Sequence, residues 1–162
     1  MFETLAGNRS GTLCLSKAGL AEGTNAATIK TAAPNGAGID YAIEGILYHK
    51  ADGDNVAMTA TEQDGSTITV QPDLYTCLYL VQINAAGTIS AVKGPQVLSA
   101  DLAAGNAVLK WPTPLDGNCA IGAVKIVTDG GTFTYGTTDL SGTGVTDTWY
   151  DLFGIPARPL TS

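Results

Sequence analysis

The stretch Leu74–Lys93, LYTCLYLVQINAAGTISAVK, carries the strongest fold signal in the chain. Its first half is apolar on both faces when it is read with the two-residue period of a β-strand. One face carries Tyr75, Cys77, Tyr79, Val81 and Ile83, and the other carries Leu74, Leu78 and Leu80. Ala85-Ala86-Gly87 supplies a turn, and Thr88–Val92 then alternates with one apolar side. The stretch therefore predicts a β-hairpin whose first strand lies in the centre of a sheet.

Length and composition limit the classes of protein to be considered. The 162 residues predict one domain, which is long enough to bury about 70% of the surface of its unfolded chain. Charged residues make up 14% of the chain, against about 25% in an ordinary soluble domain, which favours a surface that contacts other protein. The net charge is −7 and the eight Lys and Arg residues are scattered. This pattern argues against a nucleic-acid partner, because phosphate contacts need clustered basic residues.

The cysteines and the hydropathy pattern indicate a protein without disulfides and without a membrane partner. Cys14, Cys77 and Cys119 are odd in number and far apart, and none forms a CxxC pair, so we expect three buried free thiols. The first residues resemble no signal peptide, and no apolar run approaches the roughly 18 residues of a membrane span. We expect the chain to be made and folded in a reducing cytoplasm.

The first half of the chain predicts a meander of short antiparallel strands. Gly38–Lys50, GIDYAIEGILYHK, alternates as one strand with Gly45 as a bulge, and its apolar face carries Ile39, Tyr41, Ile43 and Leu47. Val56–Thr61 and Thr67–Gln71 predict two further strands joined by a turn. The acids of Asp52-Gly53-Asp54 lack the later ligands of a calcium loop, so a tight Asp-Gly turn is expected.

The second half adds a helical turn and three more segments of strand type. Ser99–Gly105 predicts one helical turn with Ser99 as its N-cap. A strand rich in Ile and Val ends at Thr128, a Thr/aromatic alternation follows over 132–140, and Val145–Tyr150 is a last strand. The fold class is mostly β: an antiparallel β-sandwich or small barrel-like sheet pair with one or two short helical turns and extended termini. We assign an N-terminal arm to residues 1–11, the β domain to 12–150, and a Pro-containing tail to 151–162.

A search for chemical motifs favours a protein that is not an enzyme and needs no cofactor or metal ion. No phosphate-binding loop and no GxSxG motif occurs in the sequence. His49 is the only histidine, and it is expected to be a solvent-facing or hydrogen-bonded structural residue rather than a general base. A pair of carboxylates suited to glycoside hydrolysis stays an open alternative, because such a pair meets in space and not in sequence spacing.

Two passages in the C-terminal half resemble a known class of protein. They are AIGAVKIVTDGGTFTYGTTDL, residues 120–140, and VTDTWYDLFGIPARPL, residues 145–160, with the hairpin LVQINAAGTISAVKG before them. These sequences are similar to those of small virion structural proteins of tailed bacteriophages, which are usually head proteins. The resemblance covers roughly Tyr41–Leu160 and includes no catalytic or ligand signature.

The resemblance implies a capsid decoration (cement) protein that binds and stabilises the assembled head. Its partner would be the lattice of the major capsid protein, and its location the capsid surface of the virion. The alternative is a tail-fibre or other virion recognition module that binds host-surface carbohydrate. Trp111, Trp149 and Tyr150 are the candidate sugar platform, although core or interface positions are favoured for the two tryptophans.

Two further expectations concern assembly. Because Leu74–Ile83 is apolar on both faces, one face is expected to remain for a neighbouring copy, which predicts a homo-oligomer with a trimer favoured. The termini lack the alternation of apolar and polar residues that is typical of strands. They carry apolar residues spaced among polar ones, a pattern suited to ordering on a partner. The predicted partner contacts are Phe2, Leu5, Phe153, Ile155 and Leu160.

Overall fold

A computed structural model describes residues 11–152 of the chain. These residues form short strands, one five-residue helix, α1 (Ser99–Ala103), and a 3-10 turn at Pro34–Gly36. The strands are β1 (Leu13–Cys14), β2 (Leu20–Glu22), β3 (Thr28–Thr31), β4 (Ile39–Ile43), β5 (Ile46–Lys50), β6 (Gly53–Ala57), β7 (Ala60–Thr61), β8 (Tyr75–Asn84), β9 (Ile89–Lys93), β10 (Val97–Leu98), β11 (Asn118–Thr128) and β12 (Val145–Asp151).

The strands belong to three sheets. The main sheet has the order β12-β11-β8-β9-β7, and β10 also pairs with β8. The two smaller sheets have the orders β1-β4-β5 and β2-β3-β6. Pairing is antiparallel throughout except between β7 and β9. The predicted mostly β, largely antiparallel fold is confirmed, with its strands divided among three sheets.

β8 is the central strand that the opening stretch of sequence predicts. It pairs with β11 on one edge and with β9 on the other, and β9 follows it through a tight hairpin. One face of β8, including Tyr79 and Val81, lies in the large core cluster that also receives side chains from both smaller sheets. The molecule is therefore layered, with the main sheet on one side and the two small sheets on the other.

The opposite face of the main sheet is covered by the same chain. Leu78 packs there against Leu102 of α1, Leu109 and Ala123, and Trp111 closes the edge of this second cluster. Leu78 and Leu80 have no exposed surface at all. The expectation that one face of β8 remains for a neighbour is wrong, because residues 97–111 fold back over it.

Gly38–Lys50 is a hairpin and not a single strand with a bulge. β4 and β5 are joined by a two-residue turn at Glu44 and Gly45, whose φ angles of 51° and 80° are both positive. Positive φ at both central residues is the mark of the hairpin turn that follows strand twist. The reversal carries Leu47 out of the predicted buried face, and 72% of it is exposed.

Three other strand predictions are wrong in part. Val56–Thr61 is split between the end of β6 and the two-residue β7, and residues 67–71 make only isolated bridges. The alternating text over 132–140 forms no strand; Phe133 and Tyr135 instead insert their rings into the core, where each packs against Tyr79. Ser99 is the first residue of α1 and caps nothing; its hydroxyl pairs with that of Thr76 at 2.9 Å.

The last strand reaches past the predicted end of the β domain at residue 150. β12 continues through Asp151, and Leu152 is buried with its N–H donating to the carbonyl of Ile121. The sheet thus extends one residue into the segment assigned to the tail, and Leu152 packs against the domain.

The three cysteines are free and buried, as predicted. Burial raises the pKa of Cys77 and of Cys119 to about 12 and also raises that of Cys14. A thiol reacts through its thiolate, so these groups are inert at neutral pH.

Candidate functional site

The outer face of the β1-β4-β5 sheet carries an exposed apolar surface. Leu13, Ala42 and Leu47 are directly opposite one another across the three strands, so their side chains share one face. Cys14, Tyr41 and Tyr48 fill the next row and point inward to the core. Leu15 lies two residues beyond Leu13 on the outer face and is 45% exposed. We call Leu13, Leu15 and Leu47, with the buried Ala42 that lies between Leu13 and Leu47, the hairpin patch.

A polar pair borders the hairpin patch. Asp40 and His49 are cross-strand neighbours on the outer face, and His49 Nδ1 lies 2.8 Å from Asp40 Oδ1. More than half of each side chain is exposed, so the pair adds little to stability. The prediction of a hydrogen-bonded, solvent-facing His49 is confirmed. Apolar side chains bordered by a polar pair form the mixed surface that is typical of protein–protein contacts.

A second exposed apolar surface lies at the start of β8. Leu74 is 55% exposed and Leu98, in β10, is 41% exposed. Leu98 is opposite Tyr75 in the pairing of β10 with β8, and the N–H of Ser99 donates to the carbonyl of Leu74 at 2.9 Å, so both leucines lie at the beginning of β8. We call Leu74 and Leu98 the Leu74 patch.

Leu74 has a left-handed backbone, which is unusual for a bulky residue. Its φ is 65°, a conformation that costs an L-residue other than glycine about 1–2 kcal/mol. The Asp73 carboxylate fixes it by accepting the N–H groups of Leu74, Gly130 and Gly131. These hydrogen bonds, with that of Gly130 the strongest, hold the pKa of Asp73 below its ordinary value. Strained backbone that its surroundings hold in place is common where a side chain is presented to a partner.

The two patches lie at opposite ends of the central strand. The β1-β4-β5 sheet adjoins the end of β8, because the Tyr41 hydroxyl donates to the carbonyl of Asn84 at 2.9 Å. Leu74 immediately precedes the start of β8. A strand of this length separates its ends by about 30 Å, since each residue advances it by about 3.3 Å.

A shallow cleft of about 310 Å³ lies beside the main sheet. It is lined by Glu62, Gln63, Lys93, Gly94, Pro95, Lys110, Trp111 and Pro112. The Lys93 ammonium is buried and donates to the carbonyl and the hydroxyl of Thr69 at 2.9 and 2.7 Å. Glu62 lies 3.6 Å from the same ammonium. The ion pair thus holds the loop before β8 against the sheet.

The electrostatics of Glu62 fit this structural role. Burial by itself raises the pKa of Glu62, but hydrogen bonds from the Thr69 hydroxyl and N–H, together with the Lys93 charge, outweigh it and hold the pKa below its ordinary value. Glu62 and Lys93 are therefore already paired with each other and with Thr69.

Trp149 lies on a different face of the sheet from the other two aromatic residues considered as a sugar platform, Trp111 and Tyr150. Trp149 and Tyr150 are consecutive in β12 and so point to opposite faces of the sheet. Trp149 packs on the large core and donates its indole N–H to Asp147. Trp111 meets Tyr150 edge to face at 6.2 Å beside the second cluster. Both tryptophans are half-buried, as favoured for core or interface positions.

The acids of the Asp52-Gly53-Asp54 segment bind backbone rather than forming the predicted tight turn. Gly53 begins β6, and Asp52 accepts the N–H of Ala33 at 2.9 Å. Asp54 accepts the N–H and the hydroxyl of Thr24. In residues 11–152 no group of His, Cys, Asp and Glu side chains is arranged to hold a metal ion.

The predicted partner contacts Phe2, Leu5, Phe153, Ile155 and Leu160 lie outside the described residues. The two patches were not predicted as contact surfaces. The dipeptide Glu44-Gly45 is the one sequence signal for the exposed hairpin. It is a weak signal, because two-residue hairpin turns usually have the sequence Asn-Gly or Asp-Gly. Nothing in the sequence marks Leu74 as left-handed.

Comparisons with known proteins leave the family open. No family model, no curated protein and no solved structure matches the chain. Neither helical segment between residues 11 and 152 has the length and apolar character that crossing a bilayer requires.

Proposed function

We propose that this chain is a bacteriophage virion structural protein that decorates and cements the assembled head. The observation that carries the proposal is the presence of two exposed apolar patches at opposite ends of β8, the hairpin patch and the Leu74 patch. Exposed leucines grouped on one part of a folded domain favour protein contact there. Two such sites about 30 Å apart allow one molecule to touch two neighbouring subunits of a lattice.

Bridging gives a physical mechanism for stabilising a shell. A molecule that contacts two neighbouring subunits at once binds the assembled lattice more tightly than either free subunit. Binding to the assembled state alone stabilises that state by mass action, in proportion to the logarithm of the ratio of concentration to Kd. The low charge of the chain, with 14% Asp, Glu, Lys and Arg, suits such contacts because few ions must be desolvated.

The homo-oligomer, with a trimer favoured, stays a prediction, but a different apolar surface now supports it. The face of β8 that was expected to be left over is buried in the chain, so it no longer supports a trimer. The hairpin patch takes its place as apolar surface available to a second copy, and a trimer would match a local threefold position of a capsid lattice.

Electron cryomicroscopy of virions of the phage that encodes this chain tests the proposal. We expect ordered density for the β domain on the outer surface of the head, with the hairpin patch and the Leu74 patch on different capsid subunits. Density at a tail fibre, together with binding of the purified chain on a glycan array, would support carbohydrate recognition instead. Absence of the chain from the virion would overturn both functions.

A further inference from the structure

β5 is an edge strand, and one of its two hydrogen-bonding sides faces away from the sheet. Among the strands of residues 11–152 its only neighbour is β4. The N–H of Leu15 donates to the carbonyl of Asp40, so Asp40 bonds to β1 and the residues on either side of it bond to β5. His49 is opposite Asp40. His49, and Leu47 two residues before it, therefore point two N–H and two carbonyl groups away from β4.

The other edges of the three sheets are blunted, whereas the edge of β5 is not. β1, β2, β7 and β10 have only two or three residues. β6 contains the left-handed Asn55, and β12 carries Asp147 and Asp151. Short length, irregular backbone and charge keep natural edges from pairing. β5 has a continuous register with β4, and Ile46 and Leu47 are 59% and 72% exposed. It is thus the described edge best suited to accept another strand.

The sequence of β5 fits a second copy of itself. In an antiparallel pair centred on Tyr48, Leu47 of each copy is opposite His49 of the other, and every outward N–H group meets a carbonyl. Lys50, the one fully charged residue of the strand, is then opposite Ile46. The two lysines stand four residues apart, which is about 13 Å along the strand. Exposed charges interact over only about 8 Å at physiological ionic strength, so the lysines do not oppose the pairing.

Other twofold registers leave outward groups of β5 without partners. Centring the pair on Leu47 places His49 opposite Gly45, which lies in the hairpin turn with a φ of 80°. Centring it on His49 leaves Leu47 opposite Ala51, beyond the end of β5, and places the two imidazoles directly opposite one another. The register centred on Tyr48 is therefore the one that uses the whole strand.

We propose that two copies of this chain pair through β5, antiparallel and centred on Tyr48, and so join two three-stranded sheets into one. The contact uses the edges of the sheets, so the outer faces that carry the two hairpin patches become continuous. The product is a dimer, because a twofold contact closes on itself, and a trimer would need a different surface. The inference goes beyond the proposed function, since the pairing needs no shell.

Sedimentation velocity of the full-length chain over a concentration series tests the dimer. His49→Pro removes one outward N–H and keeps the bonds to β4, and proline is tolerated on the solvent side of an edge strand. His49→Ala is the matched control, because it loses the same side chain and keeps the N–H. Two hydrogen bonds are lost per dimer, and each contributes about 2- to 12-fold. The Kd of the His49→Pro dimer should therefore exceed that of His49→Ala at least about fivefold.

Cysteine crosslinking tests the register. Leu47→Cys and His49→Cys introduce thiols at exposed positions, while the three natural cysteines are buried. The two positions are opposite one another in the proposed dimer, with Cα atoms about 5.5 Å apart, which suits a disulfide. Each variant alone holds its two thiols too far apart, at about 7–8 Å. An equal mixture of the variants with oxidised glutathione should thus form the mixed disulfide faster than either variant crosslinks to itself.

Several results would overturn the inference. They include a wild-type chain that stays monomeric up to millimolar concentration, a trimer, and equal Kd values for His49→Pro and His49→Ala. Crosslinking that is no faster in the mixture than in the separate variants overturns it too. The two cysteine variants change only exposed side chains, so crosslinking decides the inference even if His49→Pro unfolds.

Discussion

Replacing Leu47 by serine separates shell binding from folding. The side chain is 72% exposed, so only about a quarter of it is buried in the folded domain. Full burial of a leucine side chain contributes about 1.5–3 kcal/mol. Leu47→Ser should therefore lower the free energy of unfolding by less than about 1 kcal/mol. If the shell covers the exposed part, the same change weakens binding by about 1–2 kcal/mol, which is about 5- to 30-fold in Kd.

The assay is cosedimentation of the purified protein with head shells that lack it, titrated to give a Kd. Urea unfolding of each variant, followed by circular dichroism, gives the free energy of unfolding in parallel. Val108→Ser is the matched control, because Val108 is 41% exposed and belongs to neither patch. Equal Kd values for wild type and Leu47→Ser would refute the reasoning, as would an equal loss of binding in Val108→Ser, which would indicate general adhesion.

Three other changes test the structure. Leu74→Asn should unfold with a free energy about 0.5–1 kcal/mol higher than Leu74→Ala, because Asn tolerates the positive φ of 65°; equal values in urea denaturation would show that the backbone is unstrained. Tyr79→Phe should lower the free energy of unfolding by about 1–3 kcal/mol, since the side-chain oxygen of the buried Gln71 loses the Tyr79 hydroxyl that donates to it at 3.1 Å. A change below about 0.5 kcal/mol, which is about the error of the same assay, would contradict this. The pKa of Glu62 is lower in the folded chain than its ordinary 4.5, so its contribution to stability is present above pH 4.5 and is lost as the pH falls further. The stability advantage of wild type over Glu62→Gln should therefore narrow below pH 4.5, and an advantage that is constant with pH would refute the pairing with Thr69.

The centre of the fold is readable from the sequence because its signal is local and redundant. Tyr75–Asn84 is apolar on both faces, and a glycine-containing turn leads directly into its partner β9. Both facts favour the same central hairpin, and no distant residue is needed to choose it. What covers the second face is not local. The segment that contains Leu102 and Leu109 carries no pattern that assigns it to that face, so the face looked free for a neighbour.

The exposed hairpin was missed because period-two alternation continues through its turn. Ile39, Tyr41, Ile43 and Leu47 fit one face of a single strand on paper. The two turn residues reverse the chain, after which Leu47 is opposite Ala42 on the outer face. Alternation gives the face of a residue only while the strand is continuous.

The irregular segment after β11 shows a different limit. Thr/aromatic alternation over 132–140 fits a strand, yet Phe133 and Tyr135 pack around the Tyr79 ring and Leu140 is fully buried. Aromatic side chains reach far enough to fill a core from a loop, and sequence propensity describes only their preference for pleated surface. The candidate contact surfaces depended on such tertiary details, and therefore only the structure brings them into view.

The buried cysteines make the chain a convenient scaffold for chemical labelling. With a pKa of about 12, Cys77 and Cys119 present almost no thiolate to a maleimide at neutral pH, and Cys14 is nearly as well enclosed. A cysteine introduced at Val108 would thus take up a fluorophore without removal of the natural three. In the unaltered chain, the rate at which the three natural thiols are labelled measures how often the core opens, so local unfolding can be followed without any substitution.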